Sequence, residues 1–129
     1  MGNDTSYDFS HLRVLYVEDT SAFRTLMRSI FEYLKISNYD IVDNGMEAIE
    51  YTYKKEYDLI IMDVDMPVLN GHEASSIIQK KLEVETPIYV CTTEDTDKSS
   101  ILSKNDYTDL IPKPFHFTDL VRVFEKNIR

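Results

Sequence analysis

Glu18, Asp19, Asp63, Thr92 and Lys113 are residue types that phosphoryl chemistry needs. Carboxylates hold a hard cation or attack phosphorus, while a hydroxyl and an ammonium can bind phosphoryl oxygens. Each stands where a short apolar run stops. Val14–Val17 ends on Glu18 and Asp19, Leu59–Met62 on Asp63, Ile88–Cys91 on Thr92, and Leu110-Ile111 runs through Pro112 to Lys113. If the runs are parallel strands of one sheet, their carboxyl ends share an edge, and open α/β sheets bind ligands in the crevice there. Singly, each residue has an ordinary explanation, such as an Asp that caps a turn before a Pro-containing loop or a Lys exposed beside a proline. The recurring placement sets them apart.

The intervening segments must position these strand ends. Thr20-Ser21 offers an N-cap, and Phe23, Leu26, Met27, Ile30 and Leu34 follow at helical spacing, which predicts a first helix with that stripe toward the core. Tyr39-Asp40-Ile41-Val42 reads as a short strand, Asp43-Asn44-Gly45 as a turn, and Met46 to about Lys55 as a second helix. Leu59 to Met62 lacks polar alternation, as in a strand covered on both faces. Pro67 and Asn70-Gly71 then break the chain before a third helix ending near Lys81. Pro87 introduces the strand Ile88 to Cys91, Glu94 to Ser100 leads into a short fourth helix, and Phe117 to Ile128 carries Leu120, Val121, Phe124 and Ile128 at helical spacing. The result is an α/β chain of five strand–helix repeats, with residues 1–11 as a polar leader and 12–129 as one domain.

The balance of 23 acids against 14 bases, a formal net charge of -9, repels nucleic-acid phosphates and anionic membrane surfaces, so direct binding to either is excluded. No apolar stretch approaches the roughly 18 residues of a membrane span. Cys91 alone cannot form an internal disulfide, and its place in an apolar run makes it a buried structural thiol in a reducing, cytoplasmic setting. Met1-Gly2-Asn3-Asp4-Thr5-Ser6 fits the loose myristoylation pattern, which is too short to carry weight. His11, His72 and His116 lack ligand spacing, and zinc is not expected.

Val17-Glu18-Asp19, Asp43 through Ala48, Met62 through Gly71, Pro87 through Thr92 and Lys113-Pro114-Phe115 together resemble the receiver domain of two-component response regulators, over about Leu12 to Ile128. The resemblance implies a flavodoxin-like (βα)5 three-layer sandwich whose parallel five-stranded sheet has the order 2-1-3-4-5. It makes Asp63 the phosphoacceptor, with Thr92 and Lys113 binding phosphoryl oxygens and a cis Lys113-Pro114 bond. It assigns Mg²⁺ to Asp19, Asp63 and the backbone carbonyl of Asp65, with Glu18 reaching the metal directly or through water. Gathered carboxylates need such a compensating cation, and oxygen ligands suit Mg²⁺. The implied partners are a sensor histidine kinase or histidine phosphotransfer protein as donor and an output protein or domain. The implied state is a monomer or a phosphorylation-dependent dimer. A partner face on the fourth helix, fifth strand and fifth helix would include Tyr107 and Arg122. Without a recognisable output segment, the chain reads as a chemotaxis-type single-domain receiver or as a receiver cut from a larger regulator or hybrid kinase.

Two other functions use parts of the same pattern. Asp63-Val64-Asp65 resembles the start of a haloacid-dehalogenase-type phosphatase, but that superfamily places its paired acids after the Lys, whereas Glu18-Asp19 comes first here. A receiver-like binding module that never accepts phosphate is favoured only by Leu110, which stands where receivers commonly have Tyr or Phe; Tyr107 lies three residues earlier. Pro112 removes a backbone donor, which an edge strand tolerates. Asp65 and Glu94, two positions after Asp63 and Thr92, add negative charge beside the expected phosphoryl group. Replacing both by Ala is expected to change the lifetime of the phosphorylated form, timed by loss of label; an unchanged lifetime removes the idea.

Overall fold

In a computed structural model that describes residues 8–64, 66, 69–93 and 107–128, the run Val14–Val17 divides its side chains between two cores. Val14 and Tyr16 enter one and Leu15 and Val17 the other, each fully buried. That is the period-two alternation of a strand covered on both faces. The chain runs β1 (Arg13–Val17), α1 (Ser21–Tyr33), β2 (Asn38–Val42), α2 (Gly45–Lys54) and β3 (Leu59–Asp63). It continues through α3 (Gly71–Ser76), which passes into a π-helical turn (Ile77–Lys81), then β4 (Ile88–Thr93), β5 (Asp109–Lys113) and α4 (Phe117–Lys126). All strands are parallel, in the order β2-β1-β3-β4-β5. The flavodoxin-like α/β architecture expected from the resemblance is present.

Three layers follow from the two cores. Met27 and Phe31 of α1 and Leu120, Val123 and Phe124 of α4 pack on the sheet face that carries Val14, Tyr16, Ile61 and Cys91. Ala48 of α2, Ala74 of α3 and Ile78 of the π turn pack on the face that carries Leu15, Val17, Ile60, Met62 and Val90. Two helix stripes differ from the sequence expectation. Leu26 is 42% exposed while Phe31, outside the expected stripe, is fully buried. Met27 and Phe31, four residues apart, form the buried line, and Leu26 is rotated off it. In α4 it is Val123 rather than Val121 that is buried, for the same reason. Phe9, within the stretch read as leader, packs edge-on against Phe124 at 6.0 Å. The expected fourth helix, and residues 1–7, lie outside the described residues. Among those described, no helix is long and apolar enough to cross a membrane.

The register aligns the site. Val17 pairs with Met62, Asp63 with Cys91, Thr92 with Pro112 and Thr93 with Lys113, so the residues singled out for chemistry end their strands at nearly one level. Pro112 lies on an edge strand, where a missing N–H is tolerated. Two asparagine caps fix the helices behind this edge. Asn44 accepts from the Glu47 N–H at 2.8 Å, and Asn70 forms a capping box with Glu73. Gly71 lets α3 start directly against β3, because a Cβ there would lie 2.3 Å from the Asp63 carbonyl oxygen and 3.0 Å from Val64 Cα. Both contacts are backbone and cannot swing away. Gly71→Ala is therefore expected to lower stability by about 1–3 kcal/mol in urea denaturation, the range for overpacking a tight site; an unchanged midpoint would contradict this close approach.

Candidate functional site

The Lys113 ammonium bridges two acids at the carboxyl edge of the sheet. Its Nζ lies 2.8 Å from Glu18 Oε1 and 3.2 Å from Asp63 Oδ1. Glu18 is fully buried and Asp63 is 4% exposed, so these are charge-assisted contacts largely removed from water. Burial alone would pull the Lys113 pKa down. The hydrogen bond it donates to Glu18 and the charge of Asp63 outweigh it and hold the ammonium above its ordinary value. The acid set is completed by exposed Asp19: one carboxylate oxygen from each of Glu18, Asp19 and Asp63 lies within 4.8 Å of the others. Hard oxygen donors at this spacing fit Mg²⁺ or Ca²⁺ and not a soft-ligand metal.

Glu18 is held from both sides. Tyr16, two residues earlier on the same strand face, donates its hydroxyl to Glu18 Oε1 at 3.1 Å, and the Thr20 N–H donates to Oε2 at 3.2 Å. Thr20 is the N-cap of α1 by backbone, but its side chain makes no capping bond. Arg24 donates to the Glu18 carbonyl at 3.0 Å, which ties the first turn of α1 to the strand end. Burial, with Cys91 and Glu18 adding to it, pushes the Tyr16 hydroxyl well above the usual phenol value, so it remains a donor. Burial also pushes the Cys91 thiol well up, against the pull of Lys113. The thiol directly below the site is neutral and inert, the structural role its apolar run implied.

Thr92 stands one residue beyond the β4 partner of Asp63. Its Oγ1 is buried and has no hydrogen-bond partner among the described residues. Buried hydroxyls are rarely left so, and one at a ligand-binding edge is a donor or acceptor in waiting. The Lys113-Pro114 bond is cis. Asp65 and Glu94 lie outside the described residues.

Of the residues singled out by sequence, Glu18, Asp19, Asp63 and Lys113 gather at one point and Thr92 stands at the adjoining end of β4; the aromatic wall beside them was not expected. Phe23, the third residue of α1, lays its ring 4.4 Å from Lys113 Nζ. Phe115 packs edge-on against both Phe23, at 5.7 Å, and Tyr16, at 6.2 Å. Spacing could have signalled Tyr16, since residues two apart on a strand share a face; Phe23 falls in the core stripe that helical spacing predicts.

The other sequence candidates lie elsewhere. His11 and His116 are exposed, while His72 in α3 hydrogen-bonds through Nδ1 with the Tyr107 hydroxyl. Arg122 is exposed and pairs with Asp119 at 3.3 Å. A cavity of about 580 Å³ lies around Arg13, Asp58 and Pro87 at the opposite end of the strands. Its buried acid, Asp58, is already bound by the Arg13 guanidinium at 3.2 Å and backbone N–H at 2.8 Å, so the cavity does not gather the chemistry found at the carboxyl edge.

Residues 14–125 match the family described as the response regulator receiver domain. The chain is 33% identical over 126 residues to the transcription factor SKN7 of Candida albicans, covering 96% of this chain and 22% of that protein; it spans about a fifth of that relative. The receiver domain of sensor histidine kinase PA1611 from Pseudomonas aeruginosa PAO1, which has a magnesium ion coordinated in its active site cleft, superposes with a TM-score of 0.78 at 25% identity, over 90% of this chain and 96% of that one. The receiver domain of Ssk1 from Saccharomyces cerevisiae, co-crystallised with the histidine phosphotransfer protein Ypd1, gives a TM-score of 0.82 at 26% identity, over 92% and 90% of the two chains. With the motifs in order, the sheet topology and the acid edge all agreeing, the chain belongs to the receiver domain family of two-component response regulators.

Proposed function

We propose that this receiver takes a phosphoryl group from a phosphohistidine donor onto Asp63 and uses it to switch protein contacts. The observation that carries the reading is the Lys113 ammonium held 3.2 Å from Asp63 Oδ1, with a second buried acid 2.8 Å away. In the transfer, an Asp63 carboxylate oxygen forms a bond to phosphorus as the phosphohistidine N–P bond breaks; the bonding pair stays on that nitrogen, and the donor ring, already protonated at its other nitrogen, leaves as neutral imidazole. Hydrolysis of the acyl phosphate by water returns inorganic phosphate and the carboxylate, so the domain assists its own resetting and is not an enzyme acting on an external substrate. Asp19 and Asp63 would hold Mg²⁺, with Glu18 reaching it directly or through water and the Asp65 carbonyl as the further ligand the family resemblance implies, and the bound ion would neutralise charge on the phosphoryl oxygens. The donor is a sensor histidine kinase or a phosphotransfer protein of the kind Ypd1 represents, and the receiving unit is residues 12–129 in a cytoplasmic setting.

Lys113 and Thr92 contribute unequally to the switch. A charge-assisted hydrogen bond is worth roughly 1.5–3 kcal/mol, and moving a two-state equilibrium from 1:99 to 99:1 needs about 5.5 kcal/mol. Lys113 exchanges carboxylate partners for phosphoryl oxygens, so it gains only a difference. Thr92 has no described partner to give up, so its bond to a phosphoryl oxygen is nearly all gain.

Incubation with acetyl phosphate and Mg²⁺ is expected to add the mass of one phosphoryl group to the wild type and none to Asp63→Asn, read by intact mass. Equal labelling of both proteins would overturn the assignment. Thr92→Val is expected to act in opposite directions on two measurements. It removes a desolvated hydroxyl that has no partner among the described residues and so leaves the resting fold as stable or up to about 1 kcal/mol more stable, while weakening binding of the phosphoryl mimic beryllofluoride. A parallel loss of both would place the Thr92 hydroxyl in the resting fold instead.

A further inference from the structure

Lys113 has three N–H donors, and two carboxylates account for two directions around its nitrogen. The Phe23 ring stands 4.4 Å from the same nitrogen. This is close for a cation–π contact, which draws an ammonium onto the ring face and gains strength as water is excluded. The ring is itself fixed. Phe115 packs edge-on against Phe23 and also against Tyr16, and the Tyr16 hydroxyl returns to Glu18 Oε1, the oxygen that binds Lys113. The contacts thus close a loop: Lys113, Phe23, Phe115, Tyr16, Glu18 and Lys113 again.

We infer that Phe23 is a positioning residue for the phosphoryl reaction: its ring face holds the Lys113 ammonium beside Asp63, where it meets a phosphoryl oxygen. The inference rests on the reading of Asp63 as phosphoacceptor and adds a residue that touches neither phosphoryl group nor metal. Phe23 acts only through Lys113. Its effect therefore falls on the bound phosphoryl group and does not weaken Mg²⁺ binding, because the ring supplies no metal ligand and a less firmly held ammonium competes less for Asp63.

The test compares wild type with Phe23→Leu, which keeps apolar bulk and loses the ring, and with Phe23→Tyr, which keeps the ring. Phe23→Met serves as a second ring-free variant should Phe23→Leu fold poorly. Two quantities are read: the ring-current displacement of the Lys113 side-chain protons in NMR spectra of the resting protein, and the affinity for beryllofluoride at saturating Mg²⁺. Loss of the ring is expected to abolish the displacement and weaken beryllofluoride binding about three- to tenfold, the range a half-buried cation–π contact supports. Mg²⁺ affinity by calorimetry should not fall, and Phe23→Tyr should keep both readouts at the wild-type values. Wild-type beryllofluoride affinity in the ring-free variants would overturn the positioning role, as would an equal loss of Mg²⁺ affinity, which marks a merely structural effect. A wild type that binds Mg²⁺ but neither beryllofluoride nor a phosphoryl group would instead overturn the reading of Asp63 itself, and this inference with it.

Discussion

The Lys113 ammonium between Glu18 and Asp63 is the constraint around which the rest of the molecule is arranged. Buried ion pairs are poor investments for stability alone, since desolvation consumes much of the attraction and a hydrophobic replacement often serves as well. Removing one partner is far worse, because it strands the other charge. This triad also demands geometry. In the order β2-β1-β3-β4-β5, Glu18 follows β1 and Lys113 ends β5, three strand spacings away. At about 4.8 Å per spacing that is roughly 14 Å, which two long side chains can just close to the observed 2.8 Å.

Charge is metered around that contact. The triad and exposed Asp19 together hold three acid groups against one ammonium, leaving the edge negative and attractive to a cation. Tyr16 adds a neutral donor, and Cys91 beneath the site stays protonated, so neither adds charge of its own. The apolar cores on both faces carry the stability that the site does not. Val17, Met62 and Val90 form one dry floor under the acids, and Tyr16, Ile61 and Cys91 form the other.

Much of this was legible because it depends on where runs stop. A strand covered on both faces must be an unbroken apolar run, so its polar terminator marks the sheet edge, and Glu18, Asp19, Asp63, Thr92 and Lys113 were found that way. Helix rotation was less legible. One position separates Leu26 from Met27, yet the first is largely exposed and the second fully buried, a choice settled by how α1 sits on the sheet. Partner choice across space was hidden altogether. Nothing in the spacing says that Lys113 lies closer to Glu18 than to Asp63, or that Phe23 turns from the core stripe toward an ammonium. Both follow from side-chain reach and from the edge packing of Phe115, which only the assembled fold defines.

That hidden part bears on how a receiver with Leu110 could report its state. Coupling between a site and a surface needs contiguous contacts with more than one arrangement, and the aromatic expected at position 110 would have been one link. Two other aromatic links are present. Tyr107 joins the approach to β5 to the first turn of α3 through His72, and Phe23 joins Lys113 to the first turn of α1. They are not equivalent. Tyr107 meets His72 of α3, whereas Phe23 lies against the one cation of the triad, whose partners would change if Asp63 carried a phosphoryl group. A contact made on that cation needs no intermediary side chain, so in this chain the α1 route begins at the triad itself.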